Sequence, residues 1–267
     1  MKSVINQTYK PIEIIIVDSF STDKTPIIAQ KYANTYSFGR DPSQKNIFAV
    51  PYQTNYGVKK SSGEYIYIVD SDMRLTPKLI ESCVNLIEKN KADAIIIPEV
   101  SYGETFWAMC RRLEKTCYNS SDFSYSDSPR FIKKAVWNKL GGQDSTLGGS
   151  YDADMQIRLM ENGYKILKTK QNVLHYEWKL GLYRQMMKKF IYGKTLLKYI
   201  NKHKDKKLTV FKQYSLIKPD FIIHFKILIK DPLHALGMIF MKIMEYAAAF
   251  AGVIYELLKR EKVRIAK

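Results

Sequence analysis

The sequence predicts an α/β domain, a mainly parallel sheet with helices on both faces, followed by a basic helical tail. Three observations carry this. Short, wholly apolar runs alternate with stretches of helical periodicity between residues 13 and 97, as in strands covered on both faces and joined by helices. Charge is uneven: residues 1–178 hold 23 Lys and Arg against 20 Asp and Glu, whereas residues 179–267 hold 20 against 6. The stretch 221–258 is strongly apolar yet interrupted by Lys226, Lys230, Asp231, Lys242 and Glu245.

Residues 13–18 form the first strand, bounded by Pro11 and the polar loop 19–23. A helix over 25–32 follows, with Ser21, Thr22 or Asp23 as caps. Residues 47–50 read as a short strand and 58–62 as a short helix closed by Gly63. The strand 64–69 ends at Asp70. Pro77 opens a helix over 78–89, and 94–97 is a buried strand stopped by Pro98. Beyond Glu99 come a helix at 106–118, a strand at 130–132, and a helix at 135–140 ended by Gly141-Gly142. A helix at 152–162 and strands at 165–167 and 173–175 follow. Leu182, Met186, Phe190, Leu197 and Ile200 line one side of an amphipathic helix over 182–200. These elements divide the chain into stretches at 1–98 and 99–180 and a tail at 181–267.

The bulk composition sets limits. A chain of 267 residues, 46% hydrophobic, holds a sizeable core. Cys83, Cys110 and Cys117 form no C-x-x-C pair and leave an odd count, which reads as buried thiols in a reduced compartment. The opening residues do not read as a signal peptide. The basic last third, net +14, calls for an anionic surface, either nucleic acid or an acidic leaflet. No zinc-finger, helix-turn-helix or RNA-recognition signature supports nucleic acid.

Asp70-Ser71-Asp72 closes the run 64–69. Two carboxylates one residue apart at the end of a strand suit Mg²⁺ or Mn²⁺ held against a diphosphate, since these hard ions share their shell with substrate phosphates. Ligands of open α/β sheets gather at that end of the strands. A solvated turn is the plain alternative.

Further motifs give the pair a setting. Ser3-Val4-Ile5-Asn6-Gln7-Thr8-Tyr9-Lys10-Pro11, then residues 13–25, resemble the N-terminal signature of family 2 glycosyltransferases. Asn55-Tyr56-Gly57, Ser62-Gly63-Glu64-Tyr65 and Asp70-Ser71-Asp72 resemble the next block. Tyr151-Asp152-Ala153-Asp154-Met155-Gln156-Ile157-Arg158 resembles the acceptor-side block, with Tyr151 in place of its Glu. The resemblance covers about residues 3–195. It implies the GT-A fold and transfer of a sugar from a nucleotide-diphosphate donor with inversion. It also implies one more strand upstream, central in the sheet, so that this chain carries a gap there, through a misassigned start or truncation.

Roles follow from the resemblance. Residues 1–98 are the donor half and 99–180 the acceptor half. Asp18 reads the base or ribose, its alternative being a loop cap, Asn55 binds the donor nucleotide, and Arg130 holds the donor diphosphate or an acceptor phosphate. Asp70 and Asp72 hold the metal, with His175 completing its shell. Asp152 is the general base that takes the acceptor's proton, its alternative being a helix cap. Glu99, Asp154 and Arg158 lie on the acceptor side, with Asp154 the alternative base, although Asp154 and Arg158 are spaced to pair on one helix turn. The acceptor is a glycan or a polyprenyl-linked group. The place is the cytoplasmic face of the cell membrane, peripheral or monotopic. The tail has three readings: a spanning helix, an interfacial or re-entrant one, and docking onto the catalytic domain. The uncharged run 246–255 is short of the roughly 20 residues that span a bilayer, which favours the interfacial reading. Two rivals stand beside the transferase: a degenerate relative, and a basic nucleic-acid-binding protein.

Overall fold

The computed structural model describes residues 1–38, 49–178, 180–215 and 218–265. The chain opens with α1 (Lys2–Ile5), β1 (Ile15–Asp18), α2 (Thr25–Gln30), β2 (Asn34–Ser37), α3 (Ala49–Lys60), β3 (Tyr65–Tyr67), β4 (Met73–Leu75), α4 (Leu79–Asn90) and β5 (Ala94–Ile96). Next come β6 (Glu99–Tyr102), α5 (Phe106–Asn119), β7 (Pro129–Lys133), α6 (Lys134–Leu140), α7 (Tyr151–Glu161), β8 (Ile166–Lys168) and β9 (Val173–Tyr176). The tail is α8 (Leu182–Lys202), α9 (Lys207–Tyr214), α10 (Pro219–Ile223), α11 (Phe225–Lys230) and α12 (Pro232–Ile265). The chain forms two compact units. The first is Met1–Pro98, Ser128–Thr146 and Asp154–Val173; the second is Glu99–Asp127, Leu147–Ala153 and Leu174–Lys267. Residues 99–180, one half in the sequence division, are thus shared between both units.

The first unit is built on the sheet β3-β7-β5-β8. Alternation along its strands sends Ile95 and Phe131 to one face, where Leu79, Cys83, Val84 and Ile87 of α4 cover them. Ala94, Ile132 and Ile66 point the other way, onto Val58, Val136, Trp137, Met155 and Leu159. Helices therefore cover both faces. Leu79 and Ile87 are at most 1% exposed, and each such side chain contributes about 1.5–3 kcal/mol through burial. Burial also pushes the Cys83 thiol up to about 12.

Two expectations are corrected here. The sheet is mixed: β7 runs antiparallel to both β3 and β5, and only β5 and β8 are parallel within it. Continuous apolar runs report burial on two faces, which is independent of strand direction. β1 and β2 pair in parallel as a separate two-stranded sheet. The strand expected at 47–50 falls partly outside the described residues, and its remainder, Ala49 and Val50, opens α3. Pro51 sits in the first turn of that helix, where its missing N–H costs nothing. The rings of Tyr52 and Tyr56 stack on Phe38 at 4.9 and 3.8 Å between centroids.

The second unit is mostly helical. β6 and β9 are neighbours, and α5 lies against β6. Thr105 caps α5 by accepting from the Ala108 N–H at 3.2 Å. α12 is one continuous helix packed on α5 and α8. At its crossing with α8 a Cβ on Gly193 would meet the Ala249 carbonyl, and one on Gly252 the Phe190 carbonyl. Only glycine permits that approach. The two charges that break the apolar tail are enclosed: Lys242 donates to Glu114 Oε1 at 2.7 Å, and Glu245 pairs with Arg111, which also pairs with Glu114. Within this unit the tail helix α12 thus packs on α5.

Candidate functional site

In the first unit, Asp70-Ser71-Asp72 forms a turn between β3 and β4. The Ile68 N–H donates to the Arg130 carbonyl at 3.0 Å, which carries the β3–β7 pairing one step past the strand. The Met73 N–H then donates to the Asp70 carbonyl at 3.1 Å and closes the turn. Met73 and Leu75 are buried and anchor its far side. Asp72 is exposed, and Asp70 is half-buried. Arg130 Nη1 lies 2.9 Å from Asp70 Oδ2, joining the end of β3 to the start of β7. The two residues that the sequence assigned to the donor's diphosphate and its ion are therefore in direct contact.

Asp18 and Asn55 both have local partners. Asp18, 6% exposed, accepts from the Ser21 N–H at 2.8 Å and from its hydroxyl at 2.6 Å. It caps the loop after β1, in which Phe20 adopts φ +58. Asn55 donates to the Gln143 carbonyl at 2.7 Å and accepts from the Gln143 N–H at 2.9 Å. That clamp fixes the Gly141-Gly142 turn, both glycines at positive φ; a Cβ on Gly142 would run into the Asn55 side chain. Asn55, Lys59, Lys134, Trp137 and Asn138 line an open cavity of about 380 Å³ beside the turn.

Asp154 and Arg158 form the pair that their spacing allows. Asp154 is 0% exposed and accepts from Arg158 Nε at 2.7 Å; the other guanidinium nitrogens donate to the Leu140 and Gly142 carbonyls, each at 2.7 Å. The pair ties α7 to the C-terminal end of α6, whose αL residue Gly141 leaves those carbonyls without helix partners.

In the second unit, Glu99 of β6 and His175 of β9 face each other, with His175 Nδ1 3.4 Å from Glu99 Oε2. Lys115 of α5 reaches the same oxygen at 3.2 Å. Burial lowers the Lys115 pKa, but Glu99 and other acids outweigh it and hold the ammonium above its ordinary value. Asp152 stands in the first turn of α7, half-buried. The preceding turn, Gly148–Ser150, is set against α8, where Thr195 donates to the Leu147 carbonyl at 3.0 Å. Tyr214 of α9 donates to Ser150 Oγ at 2.7 Å. Burial first, and the charge of Asp152 further, push that phenol up to about 12. No sequence pattern marks Thr195 or Tyr214 as the supports of the turn before Asp152; they come from helices remote in the chain.

Among the described residues no three His, Cys, Asp or Glu side chains gather as a metal-holding group. Asp70 and Asp72 remain as a two-carboxylate set. That fits Mg²⁺ or Mn²⁺, which take one or two carboxylates and fill the shell with water and phosphate oxygens.

Known proteins share this architecture. The model of glycosyl transferase family 2 matches residues 1–146. A cholesterol galactosyltransferase of Borreliella burgdorferi is 35% identical over 95 residues, 36% of this chain and 26% of that protein. Glycosyltransferase GlyG of Streptococcus pneumoniae is 32% identical over 105 residues, 39% of this chain and 35% of that protein. The chain thus spans about a third or less of these relatives' length. The crystal structure of residues 1-349 of S. aureus TarS with UDP-GlcNAc superposes with a TM-score of 0.53 over 100% of this chain and 87% of that one, at 14% identity. That likeness is one of fold, the GT-A fold. With the family model covering more than half of its length, the chain belongs to glycosyl transferase family 2.

Proposed function

We propose that the protein is a metal-dependent, inverting glycosyltransferase that moves a sugar from a nucleoside-diphosphate donor to an acceptor hydroxyl or phosphate. The observation that carries this is the Asp70-Ser71-Asp72 turn at the end of β3, with Arg130 2.9 Å from Asp70. Asp70 and Asp72 would hold the ion, which supplies positive charge to the leaving diphosphate. Arg130 orients Asp70 and adds a second positive charge at the same turn. Asp152 takes the acceptor's proton as its oxygen bonds to the anomeric carbon and the bond to the diphosphate breaks. His175 faces Glu99 within the second unit and is left out of the metal set, since no three such side chains gather among the described residues. Asp18 and Asn55 read the nucleotide from the loops that they also hold in place. Asp154 and Arg158 position α7, and with it Asp152. TarS structures hold UDP and UDP-GlcNAc, which favours a uridine diphosphate sugar as donor. The basic tail supports a place on the cytoplasmic membrane surface, with a glycan or polyprenyl-linked acceptor.

Nucleotide release from UDP-, GDP- and dTDP-sugars, with and without Mn²⁺, tests the reading. Release is expected with one donor class and only with the ion. Asp72→Ala and Asp152→Asn should each lower turnover by about 10²–10⁴-fold without unfolding the chain. Full activity in both variants overturns the assignment. No release from any donor favours the degenerate relative that Tyr151 suggests.

A further inference from the structure

α12 is apolar and free of charge on its outer side, whereas its packed side mixes apolar residues with two enclosed charges, Lys242 and Glu245. Its packed side presents Ala235, Met238, Met241, Lys242, Glu245 and Gly252, all buried. Its outer side presents Leu236, Phe240, Ile243, Phe250, Ile254 and Leu257, between 40% and 68% exposed. These six recur at steps of three, four or seven residues and make one straight seam. A water-facing helix shows the reverse arrangement. α10 and α11 add Ile222, Ile223, Phe225 and Ile229, each 50% to 67% exposed, with Lys226 and Lys230 exposed among them. A contiguous apolar surface of this size on a soluble protein marks a contact.

We infer that the outer seam of α12 lies in the plane of an anionic bilayer, buried at the boundary between headgroups and acyl chains, with the helix's charged side turned into the protein. This specifies the membrane placement given above, and rests on it. Three observations choose this occupant. The seam carries no charge, so acyl chains can cover all of it. Residues 179–267 bear 20 basic against 6 acidic residues, which draws them to anionic headgroups and opposes a second copy of the same surface. Length and composition would let Pro232–Glu261 cross a membrane, but its inner side packs on α5 and α8, and α8 exposes Arg184, Lys188 and Lys198. A helix with a lipid-compatible surface on one side only lies along the leaflet. The ion cluster with Arg111 and Glu114 lets Lys242 and Glu245 sit in this helix without meeting lipid.

Flotation of the full chain with vesicles tests this and needs no turnover. The wild type should float with mixed phosphatidylglycerol and phosphatidylcholine, and less with phosphatidylcholine alone or at high salt. Phe240→Glu with Phe250→Glu should cut the bound fraction by at least about tenfold, with the far-ultraviolet dichroism unchanged. Alkaline carbonate should release the bound wild type. The inference falls if the wild type stays soluble with both vesicles, if the double variant floats as well as the wild type, or if carbonate leaves the protein in the membrane. It falls equally if sedimentation shows a dimer that the double variant dissociates. Release of nucleotide in vesicle-free solution, measured in parallel, should match between wild type and variant. A chain that floats but never releases nucleotide counts against the transferase reading alone.

Discussion

The two units enclose different things: both hold apolar side chains, but the second also encloses a cluster of charges. The first unit follows the ordinary partition: Leu79, Ile87, Ile95 and Phe131 lie inside, and among its described residues the buried charged groups are Asp18, which caps a loop, and Asp154, paired with Arg158. The second unit encloses Arg111, Glu114, Lys242 and Glu245, each at most 9% exposed, while Leu236 and Phe250 of the same α12 remain two-thirds exposed. The lesson concerns solvent. An apolar core needs only water outside it. A buried ion cluster under an apolar exterior makes sense when part of the outside is not water, because the charges then hold the helix in a fixed rotation.

Breaking the cluster should give the largest stability effect. In Glu114→Ala, Arg111 and Lys242 keep their charges without the carboxylate that joins them, at a cost of about 3–5 kcal/mol by denaturant unfolding. Replacing all four residues with apolar ones should be close to neutral in detergent, since no unpaired charge remains. A large loss there would show that the cluster stabilises the unit outright rather than fixing the helix's rotation. Acid provides a second probe. Burial raises the Glu114 pKa, but Arg111 and Lys242 outweigh it and hold the folded-state value far below the ordinary 4.5. Its contribution is therefore complete above about pH 4.5 and is lost as pH falls toward the folded-state value. The wild type should lose stability across that acid range, and Glu114→Gln should lose less.

Leu79→Ala samples the other interior. Leu79 is 0% exposed between α4 and the sheet, and removing three carbons leaves a cavity that costs about 2–5 kcal/mol. Unlike the cluster, this loss should not vary with pH or with detergent. Asn55→Ala comes next, because it frees both backbone groups of Gln143 from their side-chain partner. A cost of about 1–3 kcal/mol is expected, with greater proteolysis at the Gly141-Gly142 turn. An undisturbed turn would mean that φ preferences alone hold it.

The difference between the units also explains what the sequence revealed. Strands at 15–18, 65–67 and 94–96 are legible because sheet burial writes itself as local apolar runs. The turn at Asp70 is legible for the same reason, since it ends such a run. Strand direction, the contact of Arg130 with Asp70 and the clamp of Asn55 on Gln143 depend on residues 60 and 88 positions apart, and no local period encodes them. In the tail, Lys242 and Glu245 read as interruptions of an apolar helix. Their partners on α5 lie 128 and 134 residues away, so the sequence shows the cost of those charges and hides what offsets it.

The smallest effect is expected where α12 carries an ion pair that is not enclosed. Glu256 accepts from Arg260 at 3.2 Å, one turn apart, with the arginine 57% exposed. Water and salt screen such a pair, and holding two long side chains together costs rotamer entropy. Glu256→Ala should therefore change stability by less than about 0.5 kcal/mol. The same helix then holds one ion pair worth almost nothing and another whose disruption costs several kcal/mol, with composition held nearly constant. If Glu256→Ala were as damaging as Glu114→Ala, burial would not be what separates them, and the enclosed cluster would not be what distinguishes the second unit.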